Sequence, residues 1–491
     1  MLPQGSIAAP AQPAAEPPTR RERLLVLAVC CLSLFIVCLD TTAVNIALPA
    51  LRRELHAPAA GLQWIVDAYT LVLAALLILS GSVADRLGRR RVFRTGLVLF
   101  ALASLLCSLA PGLGWLVGFR ALQAVGGSML NPVAMSIIAN TFTDRRERAQ
   151  AIGVWGGVVG LAMALGPVLG GLLVGSVGWR WIFLVNVPVG LLALALTHRH
   201  IPESRAPRPR RLDPVGQLLL VVLLGSGTAA IIEGPEYGWR SPLVLFLGAL
   251  ALAALLAFPR WERRTAEPLI DPRFFASVPF TGAVLTAISA CAALGGFLFL
   301  STVYLQEVRH YSPVQAGLRT LPMAVCMLVG GPVSGWTVGR YGPRRPLLVA
   351  GVAIAGSGLL LTHLSATTPT AVLLCAYALF GLGFGVVNAP ITNSAVSGMP
   401  AARAGVAAAV ASTSRQVGQS LGVAVLGTVV SAAVTGSATT TFAQASRPGW
   451  WIVTGLGLLV LLLGLATTTP WAARTAQRLG AVQETPAERL P

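Results

Sequence analysis

The sequence contains no lysine: all 36 of its basic residues are arginine, set against 18 acidic residues and five histidines. A glycine-rich phosphate loop needs a Lys to reach the β- and γ-phosphates. The chain therefore carries no ATPase of that kind, and any uphill work must draw on an ion gradient or a partner. Charge of either sign is scarce, at 11% of residues where soluble chains carry roughly 25%. The seven cysteines (Cys30, Cys31, Cys38, Cys107, Cys291, Cys326 and Cys375) all fall inside apolar runs. Their odd number and apolar setting argue against a disulfide framework. The histidines are scattered and no His-Glu-x-x-His spacing occurs, so no metal site or cofactor is implied.

What is abundant is apolar surface, at 55% of 491 residues. It falls in blocks of about 20 residues, the helical length that crosses a bilayer core about 30 Å thick. The reading is an all-α membrane protein with fourteen transmembrane helices. The spans are roughly 24–48, 61–84, 92–110, 113–140, 149–176, 179–197, 213–233, 241–259, 279–305, 313–338, 346–364, 368–395, 403–434 and 450–470. The Pro/Ala-rich residues 1–23 read as a disordered N-terminus. The run after Arg20, Arg21 and Arg23 is too long for a signal peptide and reads as an uncleaved first helix.

The formal charge of +18 suggests nucleic acid, but its distribution does not. The arginines sit in short loops between apolar runs, with no interleaved aromatics on a soluble face. With the N-terminus inside, the inner segments hold roughly 27 Arg and the outer ones about 7, as the positive-inside rule requires. Both termini are then cytoplasmic, in a bacterial-type inner membrane.

The chain also repeats. Gly81-Ser-Val-Ala-Asp85-Arg86-Leu-Gly88-Arg89-Arg90-Arg91 aligns with Gly335-Trp-Thr-Val-Gly339-Arg340-Tyr-Gly342-Pro-Arg344-Arg345. Both copies fall on the inner side after an even-numbered helix. Parallel six-helix repeats build one class of transporter, and the spacing here leaves two extra helices between the halves. The division expected is 24–200 for the first six-helix bundle, 201–275 for a linker with the two extra helices, 276–472 for the second bundle and 473–491 for a cytoplasmic tail.

Ionisable groups inside a bilayer are expensive and face a cavity or a partner. By helical rise, Asp40 lies about 24 Å from the inner face, and Arg120 about 10 Å and Asp67 about 9 Å below the outer one. All three share the outer half, so Asp40 and Arg120 are placed to pair, either as a proton-coupling couple or as a permanent brace. Asp67, beside Trp64 and Tyr69, suits a lipophilic cation through charge and cation–π attraction; the competing reading is an aromatic belt at the headgroups. Arg415, near mid-membrane among Ser412, Thr413, Ser414, Gln416 and Gln419, points to a polar or anionic substrate group or to helix carbonyls. Glu233, Glu236 and Glu307 stand at outer helix ends and are read as facing solvent. The inner loop with Gly81, Asp85, Arg86, Gly88, Arg89 and Arg90 reads as a gate latch. In it Gly88 permits the tight turn and Asp85 is drawn to the N-terminus of the thirteenth helix near Arg403; plain topogenic charge is the alternative. In Gly166-Pro167-Val-Leu-Gly170-Gly171, the proline kinks the helix and the glycines admit a close neighbour.

Four segments carry a family resemblance: Leu39-Asp40-Thr-Thr-Ala-Val-Asn45-Ile-Ala-Leu-Pro49, Gly81 to Arg91, Gly166 to Gly171, and Trp179-Arg-Trp-Ile-Phe-Leu-Val-Asn186-Val-Pro188. Together they resemble the major facilitator superfamily, and within it the fourteen-helix drug–proton antiporters. Ala124 stands where that family has Gly after Gln123, and Ala162 where it has Gly four residues before Gly166; both are small-for-small. The resemblance implies proton coupling at Asp40 and Arg120. The candidate substrate contacts are Asp67, Trp64, Tyr69, Arg415 and Asn45. The expected function is proton-driven efflux of hydrophobic, possibly cationic, drugs or antibiotics by alternating access. The protein is then no enzyme, and its partners are the bilayer, a small molecule and protons, with neither nucleic acid nor ATP. Uptake by symport is the second transporter reading. A non-transporting receptor or scaffold is weakened by the cost of the intramembrane Asp and Arg.

The orientation is testable. In a background without the native cysteines, single Cys in 205–211 should react only from the cytoplasmic side, and Cys at Ser437 only from outside. The reverse pattern overturns the topology.

Overall fold

In a bilayer, an apolar run has no water to satisfy its backbone, and a helix closes all those hydrogen bonds internally. The computed structural model follows this constraint throughout. It describes residues 19–205, 212–397, 401–433, 442 and 444–484, and holds no strand among them. Segment 206–211, Ser437 and the side chain of Arg403 lie outside the described residues.

The first six spans comprise α1 (Arg20–Leu55), α2 (Ala59–Leu87), α3 (Arg89–Ser108), α4 with α5 (Leu113–Ser128, Asn131–Thr141), α6 (Arg145–Ser176), and α7 with α8 (Arg180–Leu184, Asn186–His200). The hairpin of α9 (Pro214–Tyr237) and α10 (Pro242–Glu262) follows. The last six spans comprise α11 (Val278–Val303), α12 with α13 (Pro313–Arg319, Leu321–Tyr341), α14 (Arg344–Leu361), α15 (Thr370–Val396), α16 (Ala401–Ala433) and α17 (Arg447–Thr467). An amphipathic helix, α18 (Pro470–Glu484), closes the chain; it is held to the bundle where the Val278 amide donates to Thr475 Oγ1 at 3.0 Å. Thirteen stretches are long and apolar enough to cross a membrane and match thirteen expected spans. The remaining one, 403–434, falls on the 33-residue α16, which runs through the bundle between α2 and α11.

Several expectations needed correcting. Helix α1 starts at Arg20, inside the stretch expected to be disordered, because Thr19 and Glu22 form a reciprocal capping box. The spans expected at 113–140, 179–197 and 313–338 are each broken, at Met129–Leu130, Val185 and Thr320. A proline stands just beyond each break (Pro132, Pro188, Pro322), where its ring disfavours the helical turn before it. The ninth span ends in a π-helical turn, Tyr304–Val308.

The repeat is visible in packing. In the first half α1 packs on α6, α2 on α4 and α3 on α8; in the second, α11 packs on α16, α13 on α15 and α14 on α17. The two halves even end corresponding helices alike. Gly88 after α2 and Gly342 after α13 both take positive φ (110° and 78°), and so do His56 after α1 and His310 after α11 (49° and 52°). The halves meet along two seams, α2 against α16 and α6 against α12–α13. Hairpin helix α9 lies along the first seam, touching both α2 and α16. Its partner α10 turns apolar side chains such as Leu245, Phe246 and Leu252 outward, as a lipid-facing helix must.

The second seam is tight at the end that holds Gly171 and Pro313 and looser at the end that holds Gly153 and Gly339. A Cβ at Gly171 would meet the Pro313 carbonyl, and one at Gly317 the Pro167 carbonyl, so backbone touches backbone there in both directions. A Cβ at Gly160 would still be 3.4 Å from Leu328 Cα, but one at Gly153 or Gly157 on α6, or at Gly331, Gly335 or Gly339 on α13, would meet nothing within 4 Å among the described residues. Two further contacts bridge the halves outside: Gln306 Nε2 donates to the Ile46 carbonyl at 2.9 Å, and Arg52 pairs with Glu307 at 3.0 Å. Gly171→Val should therefore hold the outer end apart. A Cys at Gln306 should then react several-fold faster with an impermeant thiol reagent from outside, and an unchanged rate would refute the backbone seal.

Candidate functional site

Asp40 lies 20 residues into α1 and is 1% exposed. A carboxylate can be buried only if its lone pairs are filled, and here each oxygen is met. Arg120 of α4 donates from Nη1 to Oδ2. Oδ1 accepts from Gln123 Nε2 and from Asn186 Nδ2, each at 3.0 Å. The break at Val185 makes Asn186 the first residue of α8 and brings it to the acid. Arg120, also 1% exposed, is anchored on its other side. Its Nε donates to the Ile65 carbonyl at 3.1 Å, its Nη1 also reaches Gln123 Oε1 at 2.8 Å, and its guanidinium sits 4.2 Å from the Tyr69 ring. Gln123 donates onward to Ser104 Oγ at 2.8 Å. Four helices of one half and Asn186 of a fifth thus converge on a single ion pair.

Sequence reasoning placed Asp40 and Arg120 at one depth but missed Gln123, Asn186 and Ser104. Each is neutral, and only charge had been tracked through the membrane. Two were within reach: Gln123 is one turn from Arg120, and Asn186 stands in the quoted segment beside Pro188.

The residues grouped around Asp67 separate. Asp67 is 0% exposed, accepts from Thr70 Oγ1 at 3.3 Å, and faces Ser420 across the α2/α16 seam; its Oδ2 has no hydrogen-bond partner among the described residues. Trp64 instead donates to Glu233 of α9 at 2.7 Å, and Tyr69 lies over Arg120. Glu233 and Glu307, read as facing solvent, are both engaged, the latter by Arg52; Glu236 is exposed. Asn45 donates to the Thr41 carbonyl of its own helix at 3.0 Å, leaving its buried Oδ1 without a partner among the described residues.

Arg415 reaches α15, where Nη2 donates to Thr392 Oγ1 at 2.7 Å; Nη1 is 3.4 Å from Ser412 Oγ.

Where α2 turns into α3, Asp85 pairs with Arg89 at 2.8 Å within its own loop. The loop is tied to its own half: the Arg89 amide donates to the Ser204 carbonyl at 2.9 Å and the Arg90 amide to Glu203 Oε1 at 3.1 Å. Gly88 is required twice over, by φ of 110° and by the Glu203 carboxylate pressed against it. Arg86 lies in the last turn of α2, and a Cβ at Gly81 would stand 3.8 Å from Pro132 Cβ. On α6, Gly166 lies against Thr42 and Gly170 against the Ala43 carbonyl (3.0 Å from a Cβ position), so one face of the Gly-Pro segment packs on α1. Gly171 and the Pro167 carbonyl serve the seam to the other half.

The Major Facilitator Superfamily profile matches residues 30–423. The chain is 38% identical over 412 residues to the multidrug resistance protein Stp of Mycobacterium tuberculosis, covering 84% of this chain and 76% of that one. It is 39% identical over 427 residues to the tetracenomycin C resistance and export protein of Streptomyces glaucescens (87% and 78% covered). It is 42% identical over 403 residues to the puromycin resistance protein pur8 of Streptomyces alboniger (80% and 79% covered). Among solved structures, a bacterial homologue of the human lysosomal transporter Spinster, crystallised inward-facing and unoccupied, superposes with a TM-score of 0.65 at 18% identity, over 94% of this chain and 99% of that one.

A hydrogen bond to a charged group contributes about 1.5–3 kcal/mol. Asn186→Ala should cost that much, read as a lowered unfolding temperature of the purified protein. An unchanged transition would mean that Asn186 does not hold the Asp40 carboxylate.

Proposed function

The chain belongs to the Major Facilitator Superfamily, and from that premise we propose that it exports hydrophobic drugs or antibiotics across the inner membrane, driven by protons, by alternating access of its two six-helix halves. The observation that carries this reading is the buried Asp40, held by an Arg and two amides beside a seam that is tight at one end and loose at the other. Three relatives bear names of drug or antibiotic resistance, and the Arg bias of the loops supports cytoplasmic termini.

Coupling needs one group whose charge depends on conformation. A guanidinium against a carboxylate favours the ionised acid; separating the two in a low-dielectric interior favours the neutral one. Arg120 and Asp40 sit on different helices, so a small displacement of α1 against α4 parts them. The Gly166–Gly170 face of α6 on α1 is where such a displacement is transmitted. In this scheme the outer seam reopens to release substrate and admit a proton, and the inner loop around Asp85, Arg86, Arg89 and Arg90 engages when the inner ends close. Asp67, sealed in the α2/α16 seam here, is freed when the outer ends part, and serves a substrate cation or a second proton.

Asp40→Asn keeps the shape of the acid without its charge. It should abolish uphill uptake into inverted vesicles under an imposed proton gradient while leaving substrate binding in place. A correctly folded Asp40→Asn protein that still concentrates substrate removes Asp40 as the coupling site. The bracing alternative predicts instead that Asp40→Asn and Arg120→Ala lose stability together and that the double variant recovers it.

A further inference from the structure

The charges inside the membrane are not arranged alike in the two halves. The first half holds the Asp40–Arg120 pair, which is neutral as a unit. The second half holds Arg415, with no carboxylate within 4.0 Å among the described residues. Its only hydrogen-bond partners there are two neutral hydroxyls, Thr392 at 2.7 Å and Ser412 at 3.4 Å, and its buried Nε has none. Guanidinium stays protonated at any physiological pH, and an unpaired charge at this depth costs several kcal/mol.

The surroundings show which way this cation looks. Gly418 and Gly422 turn one face of α16 onto Ile288 and Ala292 of α11, and Arg415, three and seven residues before them, is on that face. It therefore points into the second half toward α15, away from lipid. There Thr392 and Asn393 are exposed and Asn388 is half-buried, while Arg415 itself is half-buried. Polar side chains left open within a membrane span face water rather than lipid. Beyond Gly160 and Leu328, a Cβ at Gly153 or Gly157 of α6, or at Gly331, Gly335 or Gly339 of α13, would meet nothing within 4 Å among the described residues, and this looser end of the seam is where water would enter. Asp67, the acid that would favour a cation, is meanwhile sealed at 0% exposure.

We propose that Arg415, with Thr392 and Ser412, is the recognition site for an acidic group on the exported compound, so that hydrophobic organic anions, carboxylates or phenolates, are among the substrates. This rests on the efflux reading above and adds the charge class. The Nη1 and Nη2 edge of the Arg415 guanidinium is met only by neutral hydroxyls, and such a fork suits a carboxylate or phenolate oxygen. The same edge repels a cation entering from the inside.

The test uses two probes of similar size and opposite charge, fluorescein and ethidium. Their binding to the purified full-length protein is read by fluorescence anisotropy at neutral pH. The wild type should bind fluorescein, Arg415→Gln should lower the ratio of fluorescein to ethidium affinity at least tenfold, and Arg415→Lys should recover part of it. Melting curves of each variant separate loss of the site from loss of the fold. No binding of fluorescein by the wild type, or an unchanged affinity ratio in folded Arg415→Gln, overturns the proposal. Export of both dyes from everted vesicles by the wild type is measured in parallel. Ethidium export with an Arg415-independent affinity ratio refutes the anion site and leaves efflux standing, whereas export of neither dye counts against efflux itself.

Discussion

A carboxylate and a guanidinium buried 1% exposed in a low-dielectric interior are tolerable only together and only if every remaining lone pair and proton is met. That constraint organises the first half of the molecule. It explains why α4 carries Gln123 one turn after Arg120, why the sixth span breaks at Val185 to deliver Asn186, and why Tyr69 turns its ring to the guanidinium. Removing one member leaves the others with unpaid desolvation, so the cluster behaves as one unit rather than as separate contacts.

The second organising feature is backbone approach. Where Gly171 meets Pro313 and Gly317 meets Pro167, the halves touch without intervening side chains. Such a surface has no rotamers with which to adapt, so it is either in register or apart. Contacts of this kind suit a seam that must seal against small ions and still separate as a whole. The polar links beside it, Arg52 with Glu307 and Gln306 with Ile46, are few and lie at the outer rim where water competes for them.

The bundle was legible in the sequence because hydropathy and arginine placement act on whole segments. Thirteen expected spans reappear with shifted ends, and the repeat read from Gly81–Arg91 and Gly335–Arg345 returns as matching helix pairs and matching positive-φ residues. Depth along a helix axis was legible too, which is how Asp40 and Arg120 were set at one level. Rotation about the axis was not used, and there the reading failed. Residues two apart on a helix do not share a face, so Tyr69 could not stand with Asp67; it faces Arg120, while Asp67 faces α16. Glu233 and Glu307 were misjudged because their partners, Trp64 and Arg52, come from elements far away in the chain. No local pattern announces such pairs.

The hairpin of α9 and α10 spoils the symmetry of the two halves, and with it the balance between their arrangements. Along its length α9 is bonded to both flanks of one seam: Trp64 of α2 donates to its Glu233, Gln217 of α9 donates to the Ala75 carbonyl of α2, and Thr428 of α16 donates to its Ile231 carbonyl. Any motion that parts α2 from α16 at their outer ends must break the link on one side. A net hydrogen bond is worth about 0.5–1.5 kcal/mol, and about 1.4 kcal/mol is a tenfold change in an equilibrium constant. The hairpin thus ties the two flanks of one seam together, and each link strained by a motion across that seam would oppose it by up to about tenfold.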